Sequence, residues 1–120
     1  MSKRMPQKPI ENTIICGDSR SVLATFADES IDMIICSPPY FQQRDYGTET
    51  QIGSETTPRD YIDELLAVFI HCQRVLKSEG TFWLNLGDKY WKGRLLGMPW
   101  RVATALQDEQ GWLLRSDIIW

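Results

Sequence analysis

Two short apolar runs, each followed at once by a polar turn, constrain the fold of this chain more than any other feature. Residues 13–16 (Thr-Ile-Ile-Cys) precede a Gly-Asp pair, and residues 31–36 (Ile-Asp-Met-Ile-Ile-Cys) precede the segment Ser37-Pro38-Pro39-Tyr40. Both runs are too short for helices and rich in β-branched residues, so each predicts a strand. Continuous apolar runs of this kind are typical of parallel strands buried on both faces.

The segments between and after these runs predict helices and two more strands. Ser19 or Ser21 is expected to cap a short helix after the first strand. Thr57 and Pro58 are typical of a helix start, an apolar stripe follows at helical spacing, and Gly80 is expected to end that helix. The remaining elements are a third strand at 81–86, a third helix from 99 to 110 ended by Gly111, and a fourth strand at 112–120.

This alternation predicts an α/β fold with a partial Rossmann-like arrangement, in which a mostly parallel sheet carries helices on both faces. A chain of 120 residues is enough for one small domain. Residues 1–11 are polar and basic with two prolines and predict a flexible arm, which leaves 12–120 as the domain. The last predicted strand reaches Trp120 with no turn after it, so we expect the natural domain to continue beyond this C-terminus.

Composition and charge exclude several classes of protein. No run of about 18 apolar residues is present and no signal-peptide core follows the N-terminus, so a cytoplasmic protein is expected. Cys16, Cys36 and Cys72 lack metal-site spacing, so we expect reduced thiols and no metal. The net charge of −3 argues against a uniformly basic nucleic-acid binder. The stretch from Lys89 to Arg101 nevertheless holds four basic residues and no acid, and is either a solvated loop or a phosphate contact.

The segment Ser37-Pro38-Pro39-Tyr40 is the strongest candidate for chemistry, because ligands bind beyond the carboxyl ends of strands in open parallel sheets. Two prolines fix φ and remove two backbone donors, so we expect rigid carbonyls that point outward as acceptors. The Ser37 hydroxyl and the Tyr40 ring would complete a site for an exocyclic amine on a planar heterocycle. A plain turn is the alternative interpretation.

The same segment resembles a known family. Residues 31–40 are similar to catalytic motif IV of the N4-cytosine/N6-adenine DNA methyltransferases. Residues 12–19, 45–47, 85–93 and 111–120 resemble further blocks of those proteins, so the resemblance covers nearly all of residues 12–120. Its closest form is the subgroup that places the catalytic region before the cofactor region, which is common in restriction–modification systems.

The resemblance implies transfer of a methyl group from S-adenosyl-L-methionine to the exocyclic N4 of a flipped-out cytosine in double-stranded DNA. It makes Ser37, Pro38, Pro39 and Tyr40 the catalytic residues. Serine at position 37 is more typical of the cytosine-N4 enzymes, whereas Asp or Asn is typical of the adenine-N6 enzymes, which are the alternative. Asp18 would contact the adenine or ribose of the cofactor, or else it only forms a turn.

One family element is missing. The Phe-x-Gly-x-Gly turn of these enzymes, which approaches the methionine part of the cofactor, has no counterpart, since none of the eight glycines forms a G-x-G pair. In this subgroup that turn lies C-terminal to the catalytic blocks. The sequence therefore predicts a truncated or split enzyme, with a C-terminal half or complementary chain as a possible partner. A non-catalytic remnant is the alternative.

Overall fold

The computed structural model describes residues 11–119 of the chain. Its elements, in chain order, are α1 (Ser19–Leu23), β1 (Ile31–Cys36), α2 (Pro58–Val75), β2 (Leu76–Leu84), β3 (Tyr90–Trp91), β4 (Arg94–Leu95) and α3 (Met98–Gln110). The described residues divide between two compact units, 11–36 with 67–83 and 37–66 with 84–119. The predicted arm lies outside the described residues, except for Glu11.

The first unit is built on β1 and β2, which pair as a two-stranded parallel sheet and are joined through α2. The predicted α/β class and the predicted strand at 31–36 are therefore confirmed. Lys77 on β2 donates to the Asp32 carboxylate on β1 at 2.8 Å. Phe69 of α2 meets Phe82 of β2 edge to face at 5.0 Å, which is a favourable aromatic geometry.

The helix α2 ends earlier than Gly80, where the sequence predicts its end, and β2 begins earlier than predicted. The carbonyls of Arg74 and Val75 accept hydrogen bonds from the amides of Glu29 and Ser30 at 3.0 and 2.8 Å. These bonds satisfy carbonyls that a helix C-terminus leaves unpaired. The chain can therefore enter the sheet at residue 76 instead of adding another helical turn.

Gly80 lies inside β2, and the strand explains why no side chain stands there. A Cβ at this position would be 2.9 Å from the Lys77 carbonyl and 3.2 Å from the Asp32 carbonyl on β1. Glycine inside a strand often marks such a close backbone approach. Gly80, which predicts a helix end in the sequence, is therefore needed because the sheet leaves no room for a side chain there.

The strands predicted at 13–16 and 112–120 are wrong for the described residues, since neither 13–16 nor 112–119 is paired with another strand. Ile14 is fully exposed, and Ile118 and Ile119 are 69% and 82% exposed. An apolar, β-branched run favours a strand but cannot supply the neighbour with which a strand must pair. Likewise β1 is not buried on both faces, because Met33 and Ile35 are 52% and 72% exposed.

The second unit is organised by α3 and the first half of α2. The helix α3 begins at Met98, one residue before the predicted start at Pro99. Gly111 ends it as the sequence predicts, with φ at 73° and its amide bonded to the Gln107 carbonyl. Arg59 of α2 donates to Glu109 of α3 through both terminal nitrogens. The buried side chains of this unit come from both helices and one loop: Phe41, Tyr61, Ile62, Leu65, Leu66, Met98, Val102, Ala105 and Leu106.

Two tryptophans, Trp83 and Trp100, are 49% and 57% exposed. Within residues 11–119 no helix combines the length and apolarity needed to cross a bilayer. The same part of the chain brings together no group of three or more His, Cys, Asp or Glu side chains that could hold a metal ion.

Replacing Gly80 by alanine tests the close approach of β1 and β2. The new Cβ forces the strands apart, and such overpacking costs about 1–3 kcal/mol, against roughly 0.5–1 kcal/mol gained from reduced backbone entropy. We expect a lower free energy of unfolding for Gly80→Ala in urea denaturation. Ser78→Ala, an exposed change on the same strand, is the control, and an equal effect of both changes would contradict the prediction.

Candidate functional site

The Ser37-Pro38-Pro39-Tyr40 segment directly follows β1, and no helix or strand intervenes before α2. Ser37 is exposed, the next three residues are half-buried, and Phe41 behind them is only 2% exposed. The segment therefore runs from an exposed hydroxyl to a fully buried ring within five residues. A buried anchor beside an exposed polar group is the arrangement that a fixed binding site requires.

The side chain of Tyr61 fixes the second proline. Its hydroxyl donates a hydrogen bond of 2.7 Å to the Pro39 carbonyl, and Tyr61 itself is completely buried in the first turn of α2. The rings of Tyr61 and Phe41 lie 5.5 Å apart. The prediction that the proline carbonyls point outward is thus wrong for Pro39, because a buried phenol competes successfully for that acceptor.

Two hydrogen-bond acceptors of the segment remain available to a ligand. Among residues 11–119, no group donates a hydrogen bond to the Ser37 hydroxyl or to the Pro38 carbonyl. Pro38 is followed by another proline, which holds its backbone in the extended region, so the direction of its carbonyl is largely set before any ligand arrives. The Ser37 hydroxyl rotates to suit its partner. These two groups are the acceptors available to an amine.

Two glycines allow the backbone to approach Tyr40 closely. A Cβ on Gly87 would be 2.6 Å from Cε2 of the Tyr40 ring, and one on Gly53 would be 2.8 Å from the Tyr40 carbonyl. Gly53 also has a φ of 110°, which side chains rarely adopt. Position and orientation of Tyr40 therefore depend on the absence of side chains at both glycines.

The long loop after the motif is closed upon itself. The Gln42 amide donates to the Gly53 carbonyl at 2.6 Å, and the Gln42 side chain donates to the Glu55 carbonyl at 2.9 Å. Gln51 accepts from the Tyr46 amide and donates to the Arg44 carbonyl. Two glutamines therefore hold this loop in shape.

Residues 87–98 contain a β-hairpin that the sequence analysis does not predict. Tyr90 pairs with Leu95 and Trp91 with Arg94 in antiparallel register. The turn residues Lys92 and Gly93 have φ values of 52° and 83°, both in the left-handed region. This is the pattern of a type I′ turn, whose twist matches that of a hairpin.

The hairpin is attached to the motif by aromatic stacking. The Trp91 ring lies over the Phe41 ring at 5.2 Å with an angle of 8° between the planes. The Lys89 ammonium lies 5.8 Å from the same Phe41 ring and donates to the Gln42 carbonyl at 3.1 Å. Phe41 therefore contacts both Tyr61 of α2 and Trp91 of the hairpin.

Asp88 joins the hairpin to α3. Its carboxylate accepts the amides of Lys89, Gly97 and Met98 at 2.8, 3.0 and 3.1 Å. Two of these amides belong to the start of α3, where unpaired N–H groups and the helix dipole favour a negative charge. The acid next to the basic hairpin is thus directed toward backbone amides.

Asp18 belongs to the other unit and occupies the N-cap of α1. One of its carboxylate oxygens accepts the amides of Arg20 and Ser21 at 3.0 and 3.3 Å. The expected caps, Ser19 and Ser21, lie inside this short helix instead. A cofactor role for Asp18 stays a prediction.

The thiol beside the motif is unsuited to nucleophilic chemistry. Burial raises the pKa of the Cys36 thiol, whereas a nucleophilic cysteine needs a lowered one. Burial and the neighbouring Cys36 raise the pKa of Cys72 to about 11. Both groups are therefore protonated thiols at neutral pH.

The sequence analysis does not detect the Tyr61 hydroxyl as an anchor. Gly53, Gly87 and Asp88 were also missed as supports of the site. A hydroxyl on an otherwise apolar helix face, and a glycine directly after an apolar strand, are the sequence features that point to them. Neither feature identifies its partner, which is distant in sequence.

The family model, the curated relatives and the solved structure that match this chain are all described as methylases or methyltransferases. The family model described as DNA methylase matches residues 31–120. The chain is 41% identical to the type II methyltransferase M.SmaI of Serratia marcescens, over 89% of this chain and 46% of that protein. It is 44% identical to the type II methyltransferase M.MwoI of Methanothermobacter wolfeii, over 92% of this chain and 17% of that protein.

Among solved structures, the cytosine-N4-specific PvuII DNA methyltransferase superposes with a TM-score of 0.63 at 31% identity. The match covers 79% of this chain and 33% of that one. The chain thus spans less than half the length of these relatives.

The hydrogen bond between Tyr61 and Pro39 is testable by removing one oxygen. Tyr61→Phe leaves the half-buried Pro39 carbonyl without its donor, so the free energy of unfolding is expected to fall by about 1–3 kcal/mol. Tyr46→Phe, a change on an exposed ring, is the matched control and should lie within about 0.5 kcal/mol of the parent. Indistinguishable values for the two variants in urea denaturation would contradict the assigned anchor.

The raised pKa of Cys72 predicts a loss of stability at alkaline pH. The folded state holds this proton more tightly than the unfolded state, so the contribution is complete below pH 9 and disappears as the pH rises toward about 11. The parent should therefore lose on the order of 2 kcal/mol more than Cys72→Ala across this range. The exposed Cys16 supplies the control, since Cys16→Ala should follow the parent, and parallel curves for parent and Cys72→Ala would refute the assignment.

Proposed function

The chain belongs to the DNA methylase family, and on that premise we propose that it provides the target-base site of a DNA methyltransferase acting on the exocyclic N4 of cytosine. The observation that carries the proposal is the fixed Ser-Pro-Pro-Tyr segment. Tyr61 immobilises the Pro39 carbonyl, while the Ser37 hydroxyl and the Pro38 carbonyl stay available as acceptors. Double-stranded DNA is the proposed partner, with a cytoplasmic location where that DNA is accessible.

In this proposal the target cytosine is flipped out of the duplex, because its amine is otherwise unreachable. Flipping costs a few kcal/mol, and stacking on an aromatic ring returns about 1–3 kcal/mol per base. Tyr40 supplies that ring. Its position depends on Gly87 beside the ring and on Gly53 beside its carbonyl.

The acceptors act on the amine itself. The Ser37 hydroxyl and the Pro38 carbonyl accept its N–H groups, which draws its lone pair away from the heterocycle and toward an incoming methyl group. Because the Pro38 carbonyl is oriented in advance, it needs no reorganisation during reaction. Pro39 contributes by holding the backbone of Pro38 in the extended region, while its own carbonyl is fixed by Tyr61.

Cytosine is preferred to adenine for two reasons. Serine at position 37 resembles the cytosine-N4 enzymes, and the PvuII enzyme that superposes on this chain is described as cytosine-N4-specific. Adenine-N6 methylation is retained as an outcome of the test below.

The proposed methyl donor is S-adenosyl-L-methionine, which supplies an electrophilic methyl group when bound. The described residues do not form a complete site for it. No G-x-G turn is present, and the one candidate, Asp18, has a carboxylate oxygen already bonded to two amides. We therefore propose that a complementary segment, resembling the unmatched part of the relatives, holds the methyl donor.

The test joins this chain to the part of the Serratia marcescens enzyme that it does not match. The fusion is incubated with S-adenosyl-L-methionine and DNA of mixed sequence, and the DNA is digested to nucleosides. We expect N4-methylcytosine from the fusion and none from the chain alone. A digest that contains only N6-methyladenine would refute cytosine as the target base. No methylation at all would refute the proposed function. Methylated product from the chain alone would refute the claim that this chain lacks a complete donor site.

Tyr40 provides the residue-level prediction. In the fusion, Tyr40→Ala should lower kcat/KM for DNA by about 10–100-fold, which is the effect of roughly 1–3 kcal/mol of lost stacking. Tyr40→Phe keeps the ring and should stay within a few-fold of the parent. Equal losses in the two variants would show that the hydroxyl, rather than the ring face, carries the function of this residue.

A further inference from the structure

The hairpin of residues 89–96 carries positive charge that the described protein does not neutralise. Lys92 and Arg94 are exposed, and neither forms an ion pair within residues 11–119. The adjacent acid, Asp88, faces three backbone amides instead. On a chain with a net charge of −3, this uncompensated patch is a local exception.

Its geometry places the patch beside the target-base segment. Trp91 stacks on Phe41, which follows Tyr40 directly. Arg94 is the cross-strand partner of Trp91, so both side chains leave the hairpin on the same face. Lys89 is fastened to the Gln42 carbonyl and thereby fixes the base of the hairpin.

The turn itself carries a second, independent observation. Lys92 occupies a left-handed position with a φ of 52°, where Asn, Asp or Gly would fit with less strain. The neighbouring Gly93 is the residue that such a turn favours, whereas Lys92 is not. A cation thus stands at the tip of the hairpin in spite of its backbone conformation, and strained positions of this kind concentrate at functional sites.

We propose that this hairpin binds the phosphate backbone of duplex DNA next to the flipped base, with Lys92 and Arg94 contacting phosphates and Lys89 holding the hairpin in place. The inference rests on the proposed function for the choice of DNA as partner. Phosphate contacts fix the orientation of a protein on a duplex without reading its sequence. The hairpin would therefore position the target base for Tyr40 and contribute little to sequence specificity.

The test measures binding of a fluorescent DNA duplex of mixed sequence by the full 120-residue chain, by anisotropy at several salt concentrations. The double variant Lys92→Asn with Arg94→Gln removes both cations, and it places an Asn-Gly pair in the turn, which should keep or raise the unfolding midpoint. Affinity at about 0.1 M salt should fall on the order of tenfold or more. The slope of log K against log salt should become shallower by about 1.8, or 0.9 for each lost phosphate contact.

The control double variant, Lys77→Gln with Arg115→Gln, changes the net charge by the same amount outside the hairpin. It should keep the parent slope. Equal losses of affinity in both double variants would show that the effect depends only on net charge, and would overturn the proposal. Unchanged affinity in the hairpin variant, or no duplex binding by the parent chain, would also overturn it.

The outcomes separate this inference from the proposed function. DNA binding that depends on the hairpin, without methylation by the fusion, would support the phosphate contacts of the hairpin and refute the proposed methyltransferase function. Methylation by the fusion, with unchanged DNA binding by the hairpin variant, would support the methyltransferase function and refute the phosphate contacts.

Discussion

The hydrogen bond from Tyr61 to the Pro39 carbonyl is the constraint on which the candidate site depends. Prolines restrict φ but leave the carbonyl directions to be set by ψ, and this bond sets one of them from a completely buried donor. Phe41 continues the same anchor, since its ring contacts Tyr61 on α2 and stacks on Trp91 of the hairpin. The candidate site therefore rests on a buried aromatic cluster.

Local sequence patterns predicted those elements whose signals are complete within a few residues. The strand β1, the start of α2 at Pro58 and the end of α3 at Gly111 all follow from short-range chemistry that acts wherever those residues occur. The hydroxyl, prolines and aromatic ring of the motif were also visible as a group, because they are adjacent in the chain.

The errors share one physical cause, which is that the deciding partner is distant in sequence. The end of α2 is set by amides of Glu29 and Ser30, more than forty residues earlier. Residues 13–16 have every local feature of a strand except a neighbour. Gly80 and Gly87 are required by backbone and ring atoms of other segments, so a single sequence shows the glycine but not its reason.

The closed loop between Phe41 and α2 has a consequence for how such proteins diversify. The backbone bond from Gln42 to Gly53 fixes both ends of the intervening segment, so the motif does not depend on the path between them. Doubling the length of a closed loop costs only about 0.6 kcal/mol. Insertions and exchanges between residues 43 and 52 are therefore inexpensive for the fold. This segment is a place where related chains can acquire new contacts while the geometry of the motif is inherited unchanged.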